Sequence, residues 1–301
     1  MIPTLKIGTR GSPLALVQAG MVRDALAAAH GIACEIVVVR TTGDRIQDRL
    51  LAEIGGKALW TKELDRALLD GAIDLAVHSM KDVETLRPGG IVIAAMLERA
   101  DVRDRLVGAP SLAAIRRGGT VGTSSPRRRA QVLRARPDLS VVLFRGNVDA
   151  RLARLAAGEA DATLLAAAGL ERLGRDAVGT TIAVGELLPA PAQGAIGIEV
   201  RRSDTATRQL VAAIDHPATS RAVECERALL AALGATCRSP VAALATIGDN
   251  GVTLAAELYS EDGVGHIAAD ATGSDGEALA RDLARALLVR APATIRAAFA
   301  G

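Results

Sequence analysis

The first two-thirds of the chain alternates short β-branched and apolar runs with amphipathic stretches of helical period. This alternation predicts an α/β fold with largely parallel sheets and helices on both faces. Strands are predicted at 5–9, 35–40, 73–77, 91–96, 120–123, 141–144, 162–166 and 195–200, and helices at 13–29, 61–70, 126–135 and 148–157. The elements fall into two successive series, which predicts two lobes.

A turn-rich connector, Leu-Pro-Ala-Pro-Ala-Gln-Gly at 188–194, separates the second series from an apolar strand at 195–200. We expect that strand to return to the first lobe, so that the chain crosses between the lobes twice. Domain 1 is therefore predicted to comprise 1–97 with 195–213, and domain 2 to comprise 100–190.

The last third of the chain has a different pattern. A helix is predicted at 220–233, strands at 241–247, 252–259 and 266–271, and a closing helix at 277–289. Strands joined by turns as short as 248–251 must be antiparallel. We expect a smaller α+β third domain with an antiparallel sheet at 217–301.

The composition argues against several classes of function. One Trp, one Tyr and two Phe provide no platform for stacking bases, and 36 basic residues nearly balance 34 acidic ones. The three cysteines lack CxxC spacing, and no zinc signature or nucleotide-binding glycine motif is present. The first residues do not resemble a secretory leader, and no apolar run reaches about 18 residues, the length that a membrane-spanning helix needs. We predict a cytoplasmic protein without nucleic-acid, membrane or metal partners.

Three predicted strand ends have features that bind anions. Ser12 and Ser125 each precede a proline, an arrangement that starts a helix and aims its free N–H groups at the sheet edge. Arginines flank both serines, and a third turn, Phe-Arg-Gly-Asn at 144–147, also leads from a strand into a helix. One Ser-Pro pair is typical of a plain helix cap, but the repetition beside arginines favours anion binding at the carboxyl ends of the strands.

A fourth strand end, His-Ser-Met-Lys-Asp at 78–82, adds a carboxylate. Asp82 is the only acid in these four segments, and an anion in a cationic site can stabilise positive charge that develops during a reaction. At about 4 Å and an effective dielectric near 20, that attraction is about 4 kcal/mol. Lys81-Asp82 taken alone is also compatible with an ordinary surface pair.

The three cysteines differ in context. Cys34 begins a β-branched run and Cys225 lies within a predicted helix, positions typical of buried apolar side chains. Cys237 lies in a loop beside Arg238, where a thiol is more exposed and more easily ionised. The sequence by itself leaves both a reactive and an inert Cys237 open.

Together, six segments resemble the porphobilinogen deaminase family along nearly the whole chain. They are Thr-Arg-Gly-Ser-Pro-Leu-Ala-Leu at 9–16, Gly-Gly-Lys-Ala-Leu at 55–59, Ala-Val-His-Ser-Met-Lys-Asp-Val at 76–83, Val-Gly-Thr-Ser-Ser at 121–125, Arg-Gly-Asn-Val at 145–148 and Pro-Ala-Gln-Gly-Ala-Ile-Gly-Ile-Glu at 191–199. Each is weak singly, but their order and spacing are highly specific.

The resemblance implies two domains folded like type II periplasmic binding proteins, a third domain, and a monomeric transferase of tetrapyrrole and haem biosynthesis. It implies a dipyrromethane cofactor joined by a thioether to Cys237, to which four porphobilinogen units are added with release of ammonia. Hydrolysis then frees 1-hydroxymethylbilane. It also implies that Asp82 stabilises the cationic azafulvene formed as ammonia leaves.

The resemblance further implies a set of residues that bind the acetate and propionate groups of substrate and cofactor. These are Arg10, Ser12, Lys57, Lys81, Thr123, Ser124, Ser125, Arg127, Arg128, Arg145, Gly146, Asn147, Arg151, Arg172 and Gln193.

The chain departs from the family pattern at three places. Ala235-Thr236 stands where Gly-Gly is common, Trp60 where Phe is usual, and Glu84 where Pro often follows Lys-Asp-Val. None removes a charged group, so the expected consequence is for loop mobility rather than for activity. The main alternative is a non-enzymatic, two-lobed anion-binding protein, which needs neither Asp82 nor Cys237; a nucleic-acid binder is a third reading.

Overall fold

The computed structural model describes residues 4–39, 61–236 and 238–299. The predictions for Arg40, Lys57, Trp60 and Cys237 lie outside these residues. The chain divides into two compact units. Unit 1 is Met1–Ala100 with Gly194–Ser220, and unit 2 is Asp101–Gln193 with Arg221–Gly301.

The secondary structure of the described residues follows the predicted alternation. The strands are β1 Leu5–Thr9, β2 Cys34–Val38, β3 Leu75–Ser79, β4 Ile91–Met96, β5 Asp104–Val107, β6 Thr120–Gly122, β7 Ser140–Val142, β8 Ala162–Ala166, β9 Thr180–Thr181, β10 Ile196–Arg201, β11 Val241–Gly248, β12 Gly251–Tyr259 and β13 His266–Gly273. The helices are α1 Pro13–His30, α2 Lys62–Leu69, α3 Pro126–Ala135, α4 Val148–Ala156, α5 Ala167–Arg172, α6 Thr205–Ala212, α7 Pro217–Ala232, α8 Gly276–Arg290 and α9 Ala293–Arg296. Short 3₁₀ turns are formed by Met80–Asp82 and Ala297–Phe299.

Unit 1 contains a sheet whose described strands have the order β2-β1-β3-β10-β4. β2, β1 and β3 are parallel, whereas β10 is antiparallel to both of its neighbours. The strand after the connector therefore returns to the first sheet, as predicted from the sequence.

Unit 2 contains a sheet of the same design, with the order β7-β6-β8-β5-β9 among its described strands. β7, β6 and β8 are parallel, and β5 is antiparallel to both β8 and β9. The rest of unit 2 carries an antiparallel sheet, β11-β12-β13. The predicted fold class, mostly parallel α/β sheets with a separate antiparallel sheet, is confirmed.

Aliphatic side chains form the cores, as the shortage of aromatic residues requires. The sheet of unit 1 packs around residues such as Ile7, Leu26 and Ile198. In unit 2, Leu106 and Leu164 lie in the core of the mixed sheet, while the antiparallel sheet has its own core against α7 and α8. This separate core supports the predicted third domain, whose boundaries stay a prediction.

Polar side chains fix where three helices begin at the ends of parallel strands. Ser12 accepts a hydrogen bond from the Ala15 N–H at the start of α1 (3.3 Å), and Ser125 accepts one from the Arg128 N–H at the start of α3 (3.4 Å). Asn147 caps α4 in the same way. These caps place the helix N-termini at the carboxyl edge of each sheet.

Candidate active site

In unit 1, two neighbouring strands deliver four of the predicted residues to one edge of the sheet. β1 leads into Arg10 and Ser12, and β3 leads into Lys81 and Asp82. Because β1 and β3 are parallel neighbours, their carboxyl ends lie side by side. Asp82 is exposed, and the other three residues are partly buried.

A side-chain pair joins these two strand ends. Gln18, buried in α1, donates through Nε2 to Ser79 Oγ at the end of β3 (2.8 Å), and the Ser79 hydroxyl lies 3.0 Å from Gln18 Oε1. Sequence analysis missed this link, because the two residues are 61 positions apart. It fixes the start of α1 against the strand that precedes Asp82.

Asp82 occupies the end of the 3₁₀ turn after β3. The turn is fixed to the sheet by the Met80 N–H, which donates to Ala195 O (3.0 Å), and is closed by the Val83 N–H, which donates to Met80 O (3.2 Å). No hydrogen bond or ion pair joins the Asp82 carboxylate to another residue in the described ranges. Within the described part of the chain, the backbone of the turn therefore sets where this carboxylate lies.

A buried ionic network lies behind the turn, and sequence analysis did not anticipate it. The Arg87 guanidinium forms a fork on Glu199, with Nε donating to Oε1 (2.7 Å) and Nη2 to Oε2 (2.8 Å). It also pairs with Asp65 and donates to Glu84 Oε2 (2.8 Å). His78 Nε2 lies 3.2 Å from Glu199 Oε2.

Burial and charge act in opposite directions on this network. Burial alone would raise the pKa of Glu199, but His78 and Arg87 lower it to about 2. Burial raises the pKa of Asp65 above its usual value despite the opposing effect of Arg87. Glu199 is fully buried in a central strand, and a lone acid in an apolar strand such as Ile-Gly-Ile-Glu-Val is the sequence signal for such a pair.

In unit 2, three parallel strands likewise end at one edge of their sheet. β6 runs into Thr123-Ser124-Ser125, and β7 leads to Arg145-Gly146-Asn147. Arg151 of α4 joins the two turns, since its Nη2 donates to Ser124 Oγ (3.3 Å) and its Nε to Gly146 O (3.1 Å). The predicted residues of these two segments therefore lie together.

Arg145 has an unsatisfied donor. Its Nη1 is buried and has no hydrogen-bond partner among the residues that the structure describes. The next residue, Gly146, has φ 100°, and a Cβ there would lie 2.8 Å from the Cβ of Ala150. The turn therefore has no room for a side chain at position 146. Beside it, the Arg145 Nη1 lacks an acceptor, and this arrangement is suited to a carboxylate ligand.

Arg127 and Arg128, at the start of α3, are buried against Asp104 of β5. Arg127 Nη2 donates to Asp104 Oδ2 (2.8 Å) and Arg128 Nη2 to Asp104 Oδ1 (2.7 Å). Although burial opposes ionisation of Asp104, the two arginines hold its pKa well below the usual range. Gln193 is also buried and donates to Asp104 Oδ1 (2.8 Å) and Val102 O (2.7 Å). Sequence analysis missed Asp104 as their common partner.

Arg172 ends the short helix α5, which follows β8. Its side chain is partly buried, and this burial lowers the pKa of the guanidinium. Arg172 is therefore placed after the third parallel strand of the same sheet, next in order to the turns that carry Arg145 and Ser125.

The two described cysteines are poor nucleophiles. Burial raises the pKa of Cys34, and it raises the pKa of Cys225 to about 11. Cys225 Sγ also donates to Gly276 O (3.2 Å). Both thiols therefore stay protonated near neutral pH. Cys237 and Lys57, the remaining predicted site residues, lie outside the described residues.

No described helix is long and apolar enough to cross a bilayer. Within the same residues, no group of three or more His, Cys, Asp or Glu side chains is arranged to hold a metal ion.

Comparison with known proteins decides the family. Residues 5–209 match the family described as "Porphobilinogen deaminase, dipyromethane cofactor binding domain", and residues 220–289 match "Porphobilinogen deaminase, C-terminal domain". The chain belongs to the porphobilinogen deaminase family. The predicted family, its transferase class and its dipyrromethane cofactor are confirmed, and the non-enzymatic alternative is not favoured.

Two relatives match over nearly the full length of both chains. A porphobilinogen deaminase of Sphingopyxis alaskensis is 60% identical, with 98% of this chain and 96% of the relative covered. A porphobilinogen deaminase of Paracoccus denitrificans is 50% identical, with coverages of 96% and 95%. Among solved structures, a periplasmic substrate-binding protein of an ABC transporter from Coxiella burnetii is similar at a TM-score of 0.44, with 16% identity over 72% of this chain and 94% of that one.

Proposed function

We propose that the chain joins four porphobilinogen units head to tail, releases ammonia at each addition, and hydrolyses the product to 1-hydroxymethylbilane. The observation that carries the proposal is the Asp82 carboxylate, which is exposed and unpaired among the described residues on a turn that is fixed to the sheet edge. Arg10 and Lys81 lie at the same edge. An acid in such a position can meet a substrate cation, while its cationic neighbours attract the substrate's acidic arms.

The chain's own residues fit a cofactor that carries acetate and propionate groups. Arg145 offers a buried Nη1 without a hydrogen-bond partner, and the cap of α4 by Asn147 leaves further backbone N–H groups facing outward. We assign carboxylate binding in unit 2 to Thr123, Ser124, Ser125, Arg127, Arg128, Arg145, Gly146, Asn147, Arg151, Arg172 and Gln193, and in unit 1 to Arg10, Ser12, Lys57 and Lys81.

Asp82 has one role in each addition. The bond between the aminomethyl carbon and nitrogen of porphobilinogen breaks, the bonding electrons leave with ammonia, and positive charge spreads over the pyrrole ring. The Asp82 carboxylate accepts from the pyrrole N–H and stabilises that charge. Dipyrromethane, when held by the carboxylate-binding residues of unit 2, would supply the nucleophilic pyrrole carbon for the first addition, with the hydrogen of that carbon leaving as a proton.

We assign Cys237 as the attachment point of the cofactor. A thioether forms from a thiolate, and burial, partial for Cys34 and nearly complete for Cys225, raises the pKa of both described cysteines. Cys237 is flanked by Arg238, which favours its thiolate. Elimination of the other two thiols and this charge support the assignment.

We propose a cytoplasmic monomer, in keeping with the absence of a membrane-spanning helix from the described residues. Sedimentation of the purified chain should give a single species near 30.9 kDa; a species of twice that mass would overturn the monomer.

The Asp82→Asn variant tests the catalytic assignment. The substitution keeps the shape of the side chain and removes its charge, so a loss of about 4 kcal/mol of stabilisation lowers kcat by several hundredfold to a thousandfold. Asp24→Asn, which removes an exposed acid of α1 paired with Arg23, is the matched control and should keep the wild-type rate. An Asp82→Asn rate above a tenth of wild type would overturn the role.

Intact mass spectrometry tests the attachment residue. The purified protein should be heavier than the chain by two linked pyrroles with their acidic arms, and the excess should survive reducing agent because it is a thioether. Cys237→Ser should lose it, while Cys34→Ser and Cys225→Ser should keep it. An excess that persists in Cys237→Ser would overturn the assignment, as would active protein of unmodified mass.

A further inference from the structure

The exposed carboxylate of Asp82 depends on a segment that extends beyond its own turn. Among the described residues, this carboxylate makes no hydrogen bond or ion pair, so within this part of the chain its position follows from the backbone of 80–87. The contacts that hold segment 80–87 therefore bear on where the carboxylate lies.

The segment is held at its beginning by β10. The Met80 N–H donates to Ala195 O (3.0 Å), and the Met80 side chain lies directly over Gly197. A Cβ at Gly197 would approach Met80 Sδ to 2.0 Å, so only glycine allows this contact. Val83, one residue after Asp82, is buried.

The segment is held at its end by Arg87, again on β10. The Arg87 guanidinium takes both carboxylate oxygens of Glu199 at 2.7 and 2.8 Å. Its Nη1 turns back to Glu84 Oε2 (2.8 Å), which closes the loop, and Thr61 Oγ1 donates to the same oxygen (2.6 Å). The Arg87 side chain is 9% exposed, so water screens these contacts little.

We infer that Arg87 is a positioning residue: it clamps the end of segment 80–87 to Glu199 and thereby fixes the Asp82 carboxylate for the reaction. Arg87 has no part in the carboxylate-binding set and acts only through Asp82. This inference rests on the proposed role of Asp82. The inference goes beyond that role because it assigns the position of the turn that carries Asp82 to the ion pair of Arg87 with Glu199 on the neighbouring strand.

Arginine is required at this position because of its geometry. The planar fork reaches Glu199, Asp65 and Glu84 from one group through separate N–H bonds. A lysine ammonium is a single point charge and cannot span the two oxygens of Glu199 while also holding Glu84. Arg87→Lys should therefore recover only part of what Arg87→Gln loses.

The variants are compared as holoenzymes whose cofactor is verified by intact mass. Arg87→Gln should lower kcat by roughly tenfold to a hundredfold, the scale of a misplacement of about 1 Å, with KM changed by less than about threefold. Amide hydrogen exchange should become faster in 80–87 and not in β1. Arg201→Gln is the matched control, because Arg201 belongs to β10 itself and its guanidinium donates instead to Leu68 O, Ile73 O and Asp204.

The decisive measurement is the double variant Asp82→Asn/Arg87→Gln. If Arg87 acts through Asp82, the double variant is no slower than Asp82→Asn alone. Losses that multiply, or an Arg87→Gln rate equal to that of Arg201→Gln, would overturn the inference, and Arg87→Lys replaces Arg87→Gln throughout should the latter not fold. An active Asp82→Asn variant would instead overturn the proposed catalytic role; exchange in 80–87 then decides the clamp by itself, with unchanged exchange overturning it.

Discussion

Glu199 of unit 1 and Asp104 of unit 2 lie on comparable strands but are neutralised in different ways. Each is fully or almost fully buried on the strand that runs against its neighbours, β10 in one sheet and β5 in the other. In the described part of unit 1, Glu199 shares a single arginine, Arg87, with two further acids. In the described part of unit 2, Asp104 alone faces both Arg127 and Arg128.

The difference is one of surplus charge. Counted over these ion pairs, the unit 1 network has three carboxylates for one guanidinium, and the unit 2 network has one carboxylate for two guanidiniums. An acidic surplus lies behind the turn that carries Asp82, the proposed catalytic residue, and a basic surplus lies behind the unit 2 turns that we assign to carboxylate binding. The same strand order thus supports two buried ionic networks of opposite surplus charge.

The largest effect is expected from neutralising the two central acids. Asp104→Asn leaves two buried guanidiniums without a counter-charge, which should cost about 3–5 kcal/mol of unfolding free energy. Glu199→Gln should cost less, roughly 1–3 kcal/mol, because Arg87 keeps Asp65 and Glu84 as partners. Urea unfolding of both variants measures the two losses. Equal losses of unfolding free energy would show that the two networks do not differ in stability because of their surplus charge.

The next effect separates two arginines of unit 2 that we assign to the same carboxylate-binding set but whose contribution to stability differs. Arg127→Leu removes a partner of buried Asp104 and should cost roughly 2–4 kcal/mol of stability, whereas Arg145→Leu should cost less than about 1 kcal/mol because its Nη1 has no described partner. Arg145→Leu should nevertheless lose cofactor loading or chain elongation, read from intact mass and product formation. Wild-type loading and turnover in Arg145→Leu would remove Arg145 from the site.

Acid pH should act on Asp104 and on Asp65 with opposite sign. The pKa of Asp104 is held low, so its contribution is present above the unfolded value of about 3.9 and is lost as the pH falls towards the folded value. The pKa of Asp65 is raised by burial, so its cost is present at neutral pH and is relieved as the pH falls through the folded value.

Urea unfolding from pH 7 to pH 3 measures this difference. Relative to wild type, the deficit of Asp104→Asn should shrink below pH 4, by at most about 1.4 kcal/mol per pH unit. The deficit of Asp65→Asn should grow as the pH falls from 7 to 4, because only the wild type gains from protonation. Parallel pH profiles for the two variants would contradict the assigned directions.

Much of the fold could be predicted because local patterns determine it. The ranges 5–9, 91–96 and 162–166 are strands and 126–135 is a helix, each with the predicted bounds. β5 was missed because its first two residues, Asp104 and Arg105, are charged and hide the apolar period. α6 was missed because Thr205 to Gln209 is polar and gives no apolar face.

The strand ends of the site were also predictable, since Ser12, Ser125 and Asn147 are local caps that place helix N-termini at a sheet edge. The ion pairs behind them were not, because no local pattern tells that Arg87 meets Glu199 112 positions later or that Asp104 faces Arg127. Such pairs depend on strand order and register, which cannot be read from the sequence around either residue. Sequence reasoning therefore grouped Arg127 with Arg145 although their surroundings differ.

The smallest effect, and a strict test of the acidic surplus, is expected for Glu84→Gln. Its side chain is 23% exposed and pairs with Arg87 at i,i+3. Gln can still accept from Thr61 Oγ1 and from Arg87, and Arg87 keeps Glu199 and Asp65. Because these hydrogen bonds are kept, the loss in unfolding free energy should be only about 0.5 kcal/mol, the low end for a single hydrogen bond, and kcat should fall less than in Arg87→Gln. If Glu84→Gln cost as much as Glu199→Gln, the three acids would not be redundant, and the contrast between the two networks would rest on geometry rather than on surplus charge.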